Sequence, residues 1–201
     1  MAEHTISSSE FNSFVNERFH HARTGWGRIT LVDMPQEYHL QATIDLLKVL
    51  TKERGAAGVY MTTMKGYQEI QKIFSANGVD TSKLYFVDVI SKMYGLEPEA
   101  TPQCEFVSSP INIQSISNAI KNYLDKIKDR ERFVIFDSLT TILLYNSLPR
   151  IVQFTTAMAE HLRAQHVNAI LVMMTTAKGS TNERLIGEIK PIIDEVINVP
   201  Q

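Results

Sequence analysis

The 201-residue sequence predicts an α/β protein: a doubly wound, mainly parallel sheet with helices on both faces, plus an N-terminal helix. Three observations carry that prediction. From Gly27 onward, strand-like apolar runs alternate with helix-like runs of roughly 10–20 residues, the pattern of right-handed βαβ units. The strand-like runs are apolar at nearly every position, as strands covered on both faces are. Hydrophobic residues make up 44% of the chain and charged residues 21%, ordinary values for one well-buried domain.

The elements follow in order. Ser7-Ser8-Ser9-Glu10 fits a capping box, and Phe11, Phe14, Val15 and Phe19 fall on one helical stripe after it. Residues 1–26 are therefore read as an N-terminal amphipathic helix ending near Gly25, and residues 27–201 as the α/β domain. Four large apolar groups on so short a helix need a surface, supplied either by the domain itself or by a neighbouring subunit. "RITLVD" (28–33) reads as the first strand. The helix after it carries Leu40, Ile44, Leu47 and Leu50 inward and stops at Gly55. "AGVYMTT" (57–63) is the second strand. A helix over 67–76 buries Tyr67, Ile70, Ile73 and Phe74 and ends at Asn77-Gly78. "KLYFVDVI" (83–90) is the third strand.

Residues 91–110 contain Gly95, Pro98, Pro102 and Pro110 and predict a long loop with a short extended piece at "CEFVSS". A helix then sets Ile113, Ile116, Ile120, Tyr123, Leu124 and Ile127 on one side. "RFVIFDSL" (132–139) is the fourth strand, and a helix over 148–166 turns Ile151, Phe154, Met158 and Leu162 inward. "NAILVMMTT" (168–176) and "DEVINV" (194–199) complete six strands.

Several function classes are disfavoured. The net charge of −2, from 20 basic and 22 acidic residues, supplies no strong drive toward nucleic acid or anionic lipid. "KNYLDKIKDRER" (121–132) mixes signs and reads as a solvated helix face. No apolar run approaches the ~20 residues of a membrane span, and residues 1–10 lack a signal-peptide core. The lone Cys104 excludes an internal disulfide framework, so a reducing, cytoplasmic setting is expected. His20-His21 and the pair His161 and His166 have poor spacing for a shared metal, and no metal site is expected.

Open parallel sheets bind ligands beyond the carboxyl ends of their strands, here Asp33–Leu40, Thr62–Gly66, Asp137–Thr141 and Thr175–Ser180. Four apolar residues, Phe133 to Phe136, deliver Asp137 and then Ser138 to that edge. An acid so placed can hold a Mg²⁺-bound water in a phosphate-loop NTPase, or simply bond nearby backbone.

"RFVIFDSLTTILLYN" resembles the Walker B strand of the RecA superfamily, specifically its KaiC-like branch. "AGVYMTT" resembles that family's second strand, and "IIDEVINV" its strand entry near the C-terminus. The likeness covers about Gly27 to Val199. It implies a RecA-like fold with the phosphate loop, G-x-x-x-x-G-K-[ST], on Asp33–Leu40, and Pro35 falls where this branch often has proline. The loop's glycines are replaced by Asp33 and Tyr38, its lysine by His39 and its Mg²⁺-binding hydroxyl by Leu40. Met64 and Lys65 stand where these ATPases carry the glutamates that activate water.

Each replacement has a cost. Glycines let backbone N–H groups wrap a phosphate, and a tyrosine crowds that path. A neutral histidine supplies a hydrogen bond where lysine supplies a charge. Asp33 and Glu37 add negative charge, each worth roughly 3–4 kcal/mol against a phosphate at ~4–6 Å and an effective dielectric near 20. The resemblance thus implies a catalytically inactive member with a degenerate Walker A loop and no cofactor. It would act as a regulatory or scaffolding protein through self-association and protein partners, an active RecA/KaiC-like paralogue among them. The alternative is a protein that binds a nucleotide or other small ligand, such as ATP with Mg²⁺, in a remodelled pocket. Pro35, His39, Asp137, Ser138 and Lys178 would form that vestigial or remodelled pocket. Lys178 is expected either as a solvated loop lysine or, by the resemblance, within reach of a neighbour's nucleotide.

Overall fold

The computed structural model describes residue 13, residues 27–175 and residues 179–199. The expected N-terminal helix and Lys178 lie outside the described residues. Within them, seven strands form one sheet: β1 (Ile29–Met34), β2 (Ala57–Thr62), β3 (Leu84–Asp88), β4 (Cys104–Phe106), β5 (Arg132–Asp137), β6 (Asn168–Met174) and β7 (Glu195–Asn198). Their order is β4-β3-β2-β5-β6-β1-β7, and each neighbouring pair is parallel. The helices are α1 (His39–Lys48), α2 (Tyr67–Ala76), α3 (Ile113–Lys126), α4 (Leu139–Tyr145), α5 (Leu148–Ala164) and α6 (Thr181–Ile189).

Strand alternation sorts the core into two layers. On one face Val59, Val134, Phe136 and Leu171 meet the buried stripes of α3, α5 and α6. On the other, Tyr60, Phe133, Ile135 and Val172 meet α1 and α2. The α/β, doubly wound expectation holds, with every strand pairing parallel.

Four local expectations are corrected. The strand expected over 132–139 ends at Asp137, because Ser138 leaves the ladder to cap α4: its Oγ accepts the Thr141 N–H at 3.3 Å. The strand expected over 83–90 ends at Asp88, whose carboxylate turns the chain. The extended piece is the edge strand β4, paired to β3 through Phe86 and Cys104. α6 was not anticipated; Ser180 caps it by accepting the Glu183 N–H at 3.2 Å. The expected glycine stops are real: Gly55 and Gly78 both hold left-handed backbone, φ 63° and 81°. α1 reaches the first through a wider π-type turn over Val49–Glu53.

Candidate functional site

Parity along β5 aims Asp137. Phe133 and Ile135 face the α1 layer, so the residue two past Ile135 faces it too, at the strand's carboxyl end. β2 lies alongside β5 with Tyr60 opposite Ile135, and Tyr60 also faces the α1 layer. α1 starts above the same edge, so its first residue, His39, hangs over β5. The three side chains meet. His39 Nε2 bonds Asp137 Oδ1, and the Tyr60 hydroxyl donates to Asp137 Oδ2. All three are buried, Asp137 to 3% exposure and Tyr60 to 1%.

The electrostatics follow from that closure. Burial works against a charged imidazole, but the hydrogen bond and the charge of Asp137 outweigh it, leaving the His39 pKa above its ordinary value. Burial, then the neighbouring Asp137 charge and bond, push the Tyr60 hydroxyl well above its usual range, so it stays a neutral donor. An imidazole and a phenol thus each bond one oxygen of the carboxylate. The bonding of Asp137 to nearby backbone, weighed from the sequence, is corrected: its partners are side chains from two other elements.

The turn between β1 and α1 is short. Asp33 and Met34 remain in the strand, paired to Met173 and Met174, which leaves Pro35–Tyr38 as the connection. The Tyr38 N–H donates to Pro35 O at 3.1 Å and the His39 N–H to Gln36 O at 3.3 Å, and Pro35 has no N–H. Asp33 points across the sheet, where its Oδ1 accepts from the Thr175 hydroxyl at 3.1 Å. Burial raises its pKa, and the Thr175 bond opposes that rise.

Ser138 is fully buried and serves the backbone. Its N–H donates to Thr63 Oγ1 at 2.9 Å, and its Oγ caps α4. The peptide joining it to Asp137 is cis. A pocket of about 150 Å³ adjoins the buried trio, lined by His39, Leu40, Tyr60, Met64, Lys65 and Asp137. Lys65 pairs with Glu69, and Met64 is 44% exposed.

Of the residues singled out from sequence, the structure joins His39 to Asp137, places Pro35 in the turn above them, and sets Ser138 apart as a cap. Tyr60 was not anticipated. A phenol in an otherwise apolar strand, two residues from the ligand edge, needs a buried acceptor, and that was the available signal. Asp88 was also passed over. Fully buried at the end of β3, it accepts from the Ile90 and Ser91 N–H groups at 2.9 Å each. It also accepts from the Tyr67 N–H at 2.7 Å and the Ser91 hydroxyl at 2.6 Å.

The seven-stranded parallel sheet with helices on both faces is an α/β architecture of RecA-like fold, and solved structures share it. The KaiC-like protein PH0186 from the hyperthermophilic archaeon Pyrococcus horikoshii OT3 superposes with a TM-score of 0.61 at 17% identity, over 86% of this chain and 71% of that one. The uncharacterized protein PH0321 from Pyrococcus horikoshii, solved in complex with an unknown peptide, gives 0.63 at 13% identity, over 96% and 84%. No curated protein matches the chain. The chain belongs to the family of unknown function DUF7090, whose model matches residues 29–201. Among the described residues, no helix is long and apolar enough to cross a membrane.

Proposed function

We propose that this chain is a RecA/KaiC-like domain that turns over no nucleotide and works in the cytoplasm by binding proteins. Its role is regulatory or scaffolding, with copies of itself or a paralogue bearing an intact phosphate loop as partners, and it needs no cofactor. The observation that carries this reading is the closed trio. A Mg²⁺ site needs carboxylate lone pairs turned toward the ion or its waters, and both Asp137 oxygens point instead at His39 and Tyr60. Freeing them would leave buried polar groups unpaired, at about 3–5 kcal/mol for breaking a buried ion pair.

The turn supports the same reading. A phosphate cradle needs several N–H groups converging on the ligand. Here the N–H groups of Tyr38 and His39 serve the turn itself. Leu40 offers no hydroxyl, and about 150 Å³ is small beside the ~300–1,000 Å³ of ordinary ligand pockets. The peptide bound to PH0321 is in keeping with a fold of this kind serving protein recognition. The pocket beside His39 and Lys65 favours a second reading, a small ligand held in a remodelled site.

Phosphate release from Mg-ATP tests the first reading. The wild-type chain and Asp137→Ala should give the same background rate. A Mg²⁺-dependent rate abolished by Asp137→Ala would overturn it.

A further inference from the structure

A groove of about 330 Å³ opens between α3 and α5, on the sheet face opposite the one that carries Tyr60. Both helices return between parallel strands, so they run in the same direction. At the start of α5, Arg150 Nη2 donates to Ile111 O, just before α3, at 3.1 Å. Further along, α3 acts on His161 of α5: burial lowers the His161 pKa, Lys121 lowers it further, and Asp125 opposes them. These two ties set the helices level from end to end.

The walls are polar. Gln114, Ser117 and Lys121 stand at i, i+3 and i+7 on α3, and Arg150, Gln153 and Ala157 repeat that spacing on α5. Ile113, Phe154 and Met158 also line the groove but are only 3–8% exposed, so an amphipathic helix would find little apolar surface there. The charge is unbalanced. Lys121 is partly buried, Arg150 is exposed, and no carboxylate lines the groove. Among the described residues neither cation has an ion-pair partner, and the Gln153 side chain makes no hydrogen bond. Gln114 Nε2 donates to Asn118 Oδ1 at 3.0 Å, which leaves its carbonyl oxygen and a second N–H free.

We propose that this groove receives an extended acidic segment of a partner protein. From Gln114 to Lys121, and from Arg150 to Ala157, each helix rises about 10 Å. Alternate residues of an extended chain stand about 7 Å apart on one face, and two acids so spaced reach Arg150 at one end and Lys121 at the other. The backbone between them exposes N–H and C=O groups, which the carboxamides of Gln114 and Gln153 match. The small Ser117 and Ala157 leave room for it. A protein as the source of the acids rests on the reading above, but the groove lies across the sheet from the Asp137 trio. Nucleotide turnover there would overturn that reading without altering what the groove binds.

Amide NMR titration of the full chain with acetyl-Gly-Glu-Gly-Glu-Gly-Glu-Gly, at about 50 mM salt to limit screening, tests the proposal. Saturable shifts confined to α3 and α5 are expected, with a Kd below about 1 mM. The same peptide with Gln in place of Glu should give none. Gln153→Glu, at an exposed position, should weaken binding at least about 10-fold by placing a like charge in the groove. Lys121→Gln should weaken it about 5-fold. Lys126→Gln, on α3 but over the Tyr123 ring, should leave it unchanged. All three variants should melt within about 2 °C of wild type, so that lost binding reports the groove and not the fold. Absence of saturable shifts, shifts outside the two helices, or affinity that survives both groove variants would overturn the proposal. So would tripolyphosphate binding there more tightly than the peptide, which would assign the groove to a small polyanion.

Discussion

Asp88 and Asp137 end β3 and β5, the two strands flanking β2, and both carboxylates are buried, yet they do different work. Asp88 binds what lies close in the chain or in the next turn: the N–H groups of Ile90 and Ser91, the Ser91 hydroxyl and the start of α2 at Tyr67. Every donor it meets is neutral. Asp137 binds two side chains, His39 and Tyr60, which are 98 and 77 residues away, and one carries a titratable charge. The first aspartate builds a loop. The second joins three elements at the edge where this fold offers its ligand site, with one partner on each of its oxygens.

Breaking each hub should rank them. Asp88→Ala strands four buried donors at once and should cost about 4 kcal/mol or more, lowering the melting temperature by roughly 10 °C. His39→Ala leaves the buried Asp137 charge with Tyr60 alone, costing about 3 kcal/mol and somewhat less than 10 °C. Tyr60→Phe removes one bond to a charged acceptor, worth about 1.5–3 kcal/mol, and thermal melts of the three variants check the order. A smaller effect of Asp88→Ala than of Tyr60→Phe would contradict the assignment of Asp88 as the loop's organiser.

The pH dependence sharpens the contrast. The folded-state pKa of His39 is raised, so its pairing contributes full stability below about pH 6.5, its ordinary unfolded value. That contribution is lost as pH rises through the higher folded value. Melting temperature should therefore fall by a few degrees from pH 6 upward, and His39→Gln should flatten that slope. Ser91→Ala, at the neutral hub, should lower the melting temperature by a similar small amount at every pH and leave the slope intact. The smallest effect concerns Cys104: burial pushes its thiol pKa up, so thiol reagents should leave it unmodified in the folded chain.

How far the sequence reveals these features depends on how local their causes are. The apolar runs and helical stripes place six strands and the helices α1, α2, α3 and α5, because burial on both faces leaves a continuous signature in the strands and one-sided burial a stripe in these helices. α6 carries a readable capping pair, Ser180 and Glu183, that was passed over for lack of a strong apolar stripe. α4 is masked by β5, since Leu139 continues the apolar run and only the Ser138 cap marks the change. At the site, Asp137 and His39 are individually visible from their positions. Their union with Tyr60 depends on sheet order, which places β2 beside β5 and α1 above both. No local pattern encodes that neighbourhood.

Titration calorimetry of the full chain with Mg-ATP and Mg-ADP tests the central claim most directly. With Asp137 held by His39 and Tyr60 beneath a turn whose Tyr38 N–H, like that of His39, is already bonded, no binding heat should appear up to millimolar nucleotide. A saturable site of micromolar affinity, lost in Asp137→Asn, would contradict it and make the trio a resting state that nucleotide opens.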